Sequence, residues 1–181
     1  MRAPAFFATL LLVLSLVACG KAEGKVSGPA AIPSYVPTPT DPNTFTFDAD
    51  AGAQPVDGRS GKWTAPQSEI QVGEHDGIIK IDSDLDGGRD YIRVELNAPN
   101  HEPLTEGRYL DARNRAHSPT SPGILVISKS LGCDESYGGF IIDLLNRDHA
   151  GLLTALDAGF VASCGSATAP ALRGRIHYRH P

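Results

Sequence analysis

Hydrophobic and polar positions alternate in several short runs after residue 43. A period of two is typical of β-strands that bury one face and expose the other. The runs centre on Phe45 and Phe47, on Ile79 and Ile81, and on residues 92–96 and 172–178. Two further runs, residues 124–127 and 140–142, are almost continuously apolar, as expected for strands in the middle of a sandwich. The pattern therefore predicts many short strands.

One apolar segment, residues 152–164, fits two kinds of element. Leu152, Leu153, Leu156 and Phe160 have helical spacing, whereas a period of two places every second residue from Leu152 to Cys164 in one inward row. We favour the strand, because each glycine in or beside this segment weakens a helix by about 1 kcal/mol relative to alanine. A row that ends on a cysteine also suits a buried face.

Composition points to the same fold class. The 181 residues include 19 Gly and 14 Pro, an excess that favours turns over helical bundles. We expect an all-β domain over residues 43–181, an antiparallel β-sandwich or partly closed barrel of about eight to ten short strands. A net charge of −5 and a pI of about 5.6 argue against nucleic acid as a partner.

The first 18 residues have the layout of a lipoprotein signal peptide. Arg2 precedes an apolar run of 13 residues, Ala5 to Val17, which is too short to span a bilayer. The segment ends Leu16-Val17-Ala18-Cys19-Gly20, which resembles the bacterial lipobox. That resemblance implies cleavage before Cys19 and attachment of acyl chains, palmitate among them, to Cys19. The alternative is an ordinary secretory signal with a chance cysteine, but Leu16 is too large for its cleavage site.

The lipobox predicts where the protein resides. By resemblance to enterobacterial sorting, Gly20 after the acylated cysteine favours the outer membrane over retention in the inner membrane. We therefore expect a protein of the bacterial cell envelope, held to the membrane by an N-terminal lipid. Residues 19–42 follow as a tether, since five prolines among small and polar residues favour an extended, semi-rigid spacer.

The two remaining cysteines are expected to pair. An exported chain meets an oxidising periplasm, so Cys133 and Cys164 predict a disulfide bond. The alternative is a catalytic thiol, which requires a base and a lowered pKa.

The chain also resembles a family of small secreted bacterial β-domains. The similarity rests on four patterns: L-x-x-G-x-Y at Leu104–Tyr109, G-C followed by G-x-F from Gly132 to Phe140, F-x-x-x-C at Phe160–Cys164, and L-x-G-x-I-x-Y at Leu172–Tyr178. It covers most of residues 43–178. The family implies the fold and the disulfide and has no assigned activity.

An acidic segment matches the opening of a calcium loop. Asp82, Asp84, Asp86 and Asp90 lie in D-x-D-x-D-G-G-R-D, where alternate carboxylates could converge on a cation. The bidentate glutamate of an EF-hand is replaced by Arg93, and both flanks have the strand pattern. The favoured interpretation is a tight hairpin whose glycines form the turn. No other cofactor is indicated.

Four basic side chains share one face of the last predicted strand: Arg173, Arg175, His177 and Arg179. One interpretation is a patch for an anionic partner, to which Arg108, Arg113, Arg115 and His117 could add. The favoured one is a charged guard against edge-to-edge pairing of a terminal strand.

No catalytic motif emerges from the rest of the chain. Ser136 lacks the first glycine of a nucleophile elbow, the histidines lack ligand spacing, and Trp63 suits a core. We therefore expect a non-enzymatic, lipid-anchored protein that binds a protein or an envelope polymer. The alternatives are an immunity or inhibitor lipoprotein that neutralises a toxin or hydrolase, and a surface-polymer hydrolase.

Overall fold

The structure, a computed structural model, describes residues 31–33, 38, 40–85 and 87–180. Regular structure in this part consists of strands and one 3-10 helix at Pro99–His101, with no α-helix. The strands are β1 (Thr44–Ala49), β2 (Gly61–Thr64), β3 (Glu69–His75), β4 (Ile78–Asp84), β5 (Tyr91–Asn97), β6 (Gly107–Arg113), β7 (Gly123–Ser128), β8 (Leu131–Gly132), β9 (Ser136–Arg147), β10 (Leu153–Cys164) and β11 (Ala171–Arg179). The all-β prediction is confirmed.

The strands form a single curved sheet. Their order is β2-β1-β11-β10-β9-β6-β7-β5-β4-β3, with β8 paired to β7. Neighbours are antiparallel, apart from one parallel contact between Arg113 of β6 and Gly123 of β7. The two ends of the order, β2 and β3, are consecutive in sequence, and the sheet is nearly closed. The fold is thus the barrel form of the prediction, with eleven strands among the described residues.

An ion pair links two strands that are not neighbours in the sheet. The Arg147 guanidinium at the end of β9 donates to both carboxylate oxygens of Glu74 in β3, over 2.6 and 2.8 Å. The hydrogen bond to Glu74 raises the pKa of Arg147 above its usual value. Arg147 also donates to the carbonyl of Leu104. This bidentate contact fixes the free end of the sheet at β3 to the body of the barrel.

The ambiguous segment is a strand. β10 pairs with β9 on one side and β11 on the other, which excludes the helical alternative. The inward row holds from Leu156 through Ala162, all buried. It fails at Leu152, which precedes the strand and is 65% exposed. Register shifts beside Leu153 and Asp157 change the phase of the alternation, and a strict period of two cannot anticipate them.

Aromatic rings fill one part of the core. The rings of Phe45 and Phe160 lie 6.3 Å apart, and Trp63 lies 6.0 Å from Phe45 and 5.1 Å from Phe47. Trp63 is buried, as its sequence context predicts. A Cβ atom at position 174 would come within 2.3 Å of the Phe160 ring, so β11 needs a glycine there to make room for it.

The predicted disulfide is present. Cys133, in the turn between β8 and β9, is bonded to Cys164 at the end of β10 across 31 residues of sequence. The bond therefore joins the turn before β9 to the last residue of β10, at one end of the β9–β10 pair.

The chain before β1 contacts the barrel. The Arg175 guanidinium donates to the carbonyl of Pro33 over 3.0 Å, and the carbonyl oxygen of Asp41 lies 3.1 Å from Nε2 of His177. Both partners belong to the segment predicted as a tether, so its described part lies on the outer face of β11. Cys19 and the signal peptide lie outside the described residues.

Candidate functional site

The basic row on β11 is not at a sheet edge. Its four members occupy alternate positions of the strand, as predicted, and β1 and β10 pair with β11 on either side. The interpretation of this row as a guard against edge-to-edge pairing is therefore wrong, because a strand with two partners has no open edge.

Each cation of the row faces a carboxylate. Arg173 pairs with Asp50 at 3.0 Å, and Arg175 lies 3.5 Å from Asp143. Asp50 also accepts a hydrogen bond from the backbone of Ala171, so it holds the start of β11 as well as its first arginine. These acids come from other parts of the chain, far from residue 173 in sequence.

The other two side chains of the row share one buried acid. Nδ1 of His177 and a guanidinium nitrogen of Arg179 each lie 2.7 Å from a carboxylate oxygen of Asp157 in β10. Asp157 is 4% exposed and His177 is 6% exposed. We call these three residues the Asp157 cluster. Because a buried carboxylate needs partners to offset its lost hydration, the cluster is a structural element of the barrel wall.

The geometry gives the anionic-partner patch no support, and the patch stays a prediction. A patch attracts an anion through cations that solvent can reach, whereas these four are partly or fully covered and bound to carboxylates. The suggested additional members lie elsewhere, on β6 and the loop after it, and β6 is three strands from β11 in the sheet order. Among them, Arg115 pairs with Glu95 and Arg113 stacks on the ring of Tyr137.

The acidic segment forms a hairpin between β4 and β5. Asp82 accepts a hydrogen bond from Arg93 over 2.6 Å, and Asp90 accepts one from Arg59. The Asp84 carboxylate accepts the backbone N–H of Gly88 across the turn. Asp86 lies outside the described residues. Two of the candidate calcium ligands are thus already bound to guanidinium groups, which supports the hairpin interpretation.

We expect calcium to leave the stability of this hairpin unchanged. In the described part of the chain, no three His, Cys, Asp or Glu side chains lie close enough to hold a metal ion. A cation would have to displace Arg93 and Arg59 from their carboxylates. Calcium at about 1 mM should therefore shift the melting temperature by less than about 1 °C relative to chelator. A larger rise that Asp84→Asn/Asp86→Asn abolishes would contradict this expectation.

A groove lies beside this hairpin on the outer face of β3, β4 and β5. Its volume is about 360 Å³. Alternation along the three antiparallel strands brings their outward side chains together, since Gln71 pairs with Asp82 and Asp82 with Arg93 in the register. The lining residues are Glu69, Gln71, Asp82, Ser83, Asp84, Gly88, Tyr91 and Arg93.

The lining of the groove carries more negative than positive charge. Glu69, Asp82 and Asp84 supply three carboxylates against the single guanidinium of Arg93. The hydrogen bond to Asp82 raises the pKa of Arg93 above its usual value, so Arg93 stays charged. The phenol of Tyr91 accepts the backbone N–H of Ser130 over 2.8 Å, which fixes its ring at one side of the groove. The lining is therefore net negative, and its carboxylates already accept hydrogen bonds from Gln71, Arg93 and the backbone of Gly88.

Sequence reasoning had identified only two of these residues, Asp82 and Asp84, as candidates. Glu69, Gln71 and Tyr91 belong to ordinary strand patterns. The sequence does show which positions of these three consecutive strands face outward. These positions indicate a shared groove only when the pairing order of the strands is known.

A smaller cavity of about 170 Å³ lies near the disulfide. His117 and Ser136 both line it. Ser136 is 3% exposed and begins β9, so it does not sit on the strand-to-helix turn that a nucleophile elbow requires.

Comparison with known proteins gives no relative from which function could be transferred. No family model matches the chain, and neither a curated protein nor a solved structure matches it significantly. Among the described residues, no helix has the length and apolarity needed to cross a bilayer. The resemblance to small secreted β-domains stays a prediction.

Proposed function

We propose that this chain is a lipid-anchored binding protein of the bacterial cell envelope. Acylation at Cys19 anchors it, and sorting delivers it to the outer membrane. The barrel binds its ligand without catalysing a reaction. The lipobox-like segment Leu16–Gly20 supports the anchor. The groove on β3, β4 and β5 is the observation that carries the binding role.

The charge of the groove indicates the chemistry of its ligand. Carboxylates outnumber guanidinium groups in the lining, so the groove favours a ligand with amine or guanidinium donors. An envelope polymer with amino groups and a basic protein segment both meet this requirement. A hydrolytic role is less suited to the groove, because Arg93 occupies the carboxylate of Asp82. The immunity or inhibitor role has no structural observation in its favour.

A charge reversal at the groove tests the binding role. The non-acylated Cys19→Ser protein should retain material from solubilised envelope, and Glu69→Arg should reduce this retention by roughly tenfold, which corresponds to about 1.4 kcal/mol. Added salt should weaken the retention, because an exposed electrostatic contact is screened.

The matched control is Glu102→Arg, an equal charge change at an exposed position outside the groove lining. It should retain as much envelope material as the parent. Equal loss in both variants, or no loss in Glu69→Arg, would refute the groove as the binding site. Acylation is checked separately, by the mass of the mature N-terminus.

A further inference from the structure

The outer face of β9 and β10 carries two glycines at the place where the preceding chain crosses it. A Cβ atom at position 159 would lie 2.0 Å from the carbonyl oxygen of Pro33. One at position 139 would lie 2.9 Å from the carbonyl oxygen of Tyr109 in β6 and 3.3 Å from Cδ1 of Ile32. The first distance is shorter than real Cβ contacts, so the backbone at Pro33 needs the space that Gly159 leaves open. We call Gly139 and Gly159 the glycine seat.

Further contacts hold the same segment. Arg175, which pairs with Gly159 in the register, donates to the Pro33 carbonyl over 3.0 Å. Nearer to β1, the Asp41 carbonyl lies 3.1 Å from Nε2 of His177. Residues 32, 33 and 41 are therefore bound to one wall of the barrel, formed by β9, β10 and β11. The chain already contacts the barrel at residues 32 and 33, and ten further residues precede the start of β1.

The groove lies on the opposite wall. In the sheet order, β4 is five strands from β10 when counted through β9. It is also five strands from β10 when counted the other way, through β11 and the β2–β3 turn. A nearly closed barrel thus places the groove and the glycine seat on opposite sides.

The length of chain between the anchor and the glycine seat limits how the barrel can turn. Ala31 is twelve residues after Cys19, and Asn43 is twenty-four residues after it. Twelve residues reach at most about 40 Å, whatever their conformation. A domain of this size behaves as a sphere of radius about 18 Å. Turning the groove towards the bilayer needs about 45 Å of chain over the wall and down to the membrane, which exceeds that reach.

We infer that docking of residues 31–33 on the glycine seat orients the barrel, with β9–β11 towards the membrane and the groove away from it. This inference rests on the proposed lipid anchor. The ligand of the groove therefore approaches from the side opposite the anchoring bilayer. A tether released up to residue 43 would reach about 80 Å and would impose no such orientation.

Energy transfer from the protein to the membrane tests the orientation. The acylated protein is placed in phosphatidylethanolamine–phosphatidylglycerol vesicles that carry an acceptor dye on the headgroups. A donor dye is attached either at Leu110→Cys, beside Gly139, or at Lys80→Cys on β4. The Leu110 label should show roughly twofold higher transfer than the Lys80 label, since β6 borders the membrane-facing wall and β4 lies opposite to it.

Variants of the glycine seat test whether docking of residues 31–33 causes the difference in energy transfer between the two labels. Gly159→Val should remove the difference between the labels, because its side chain would overlap the Pro33 carbonyl. Ile32→Asp should have the same effect without altering the barrel. Gly73→Val is the control, because nothing lies within 4 Å of a Cβ atom at that outward position of β3.

Three results would overturn the inference. Equal transfer from both labels in the acylated parent would refute the orientation and leave the groove's binding role standing. A difference that survives both Gly159→Val and Ile32→Asp would show that docking does not cause it. A mature N-terminus without acyl chains, seen by mass, would refute the proposed anchor itself, and the orientation with it.

Discussion

Asp157→Ala should lower the free energy of unfolding by about 3–5 kcal/mol, the cost of leaving buried charges without their partner. Asp157 is 4% exposed and holds both His177 and Arg179. Its removal leaves one guanidinium and one imidazole in the barrel wall beside a small cavity. Thermal unfolding followed by circular dichroism should show a fall in melting temperature of about 10 °C or more.

The comparison that gives this result meaning is Asp48→Ala. Asp48 is also a strand aspartate, but it is exposed on β1, and its loss should cost less than about 0.5 kcal/mol. Asp157→Asn keeps the shape and some of the hydrogen bonds, so its effect should lie between the two. Equal melting temperatures for Asp157→Ala and Asp48→Ala would show that the Asp157 cluster adds nothing to stability.

The double variant Cys133→Ser/Cys164→Ser should lower the free energy of unfolding by about 3–4 kcal/mol. The bond closes a loop across 31 residues, and the chain-entropy model assigns that amount to a loop of such length. The free energy is measured by urea unfolding with and without reductant, at a pH where disulfide exchange is fast enough to complete.

Reductant supplies the internal control for this variant. It should destabilise the parent by a similar amount and leave the double variant unchanged, since the variant has no bond to reduce. A parent whose unfolding midpoint is indifferent to reductant, while mass shows the bond reduced, would contradict the prediction.

Local alternation was sufficient to predict most strands and the residues that face the core. Phe45, Phe47 and the row from Leu156 to Ala162 are buried, as the period of two requires. The cysteine pair followed from the compartment expected of an exported chain. Both kinds of prediction depend only on sequence neighbours or on composition.

The role of the basic row could not be predicted in the same way. Alternation placed Arg173 and His177 on one face, but their partners, Asp50 and Asp157, come from other strands and turns. Whether β11 lies at an edge is also a property of pairing order. A cation in a strand looks the same in sequence whether solvent or a carboxylate faces it.

Glycines at outward strand positions could have predicted that another segment of the chain packs on the barrel. Gly139 and Gly159 occupy outward positions in long strands, where glycine gives no packing and weakens the strand. Outward glycines on paired strands indicate close approach of another backbone, here that of Pro33. The sequence pattern alone does not say which segment approaches.

The two free margins of the sheet, at β2 and β3, bear on contacts between copies of the chain. The proposed lipid anchor would confine molecules to two dimensions, where these margins would meet often and could pair. The margin at β2 is only four residues long and exposes Lys62, and the margin at β3 exposes Glu69. A short margin with a lysine and an acidic margin offer a poor template for intermolecular pairing. Resistance to pairing between copies thus resides at β2 and β3.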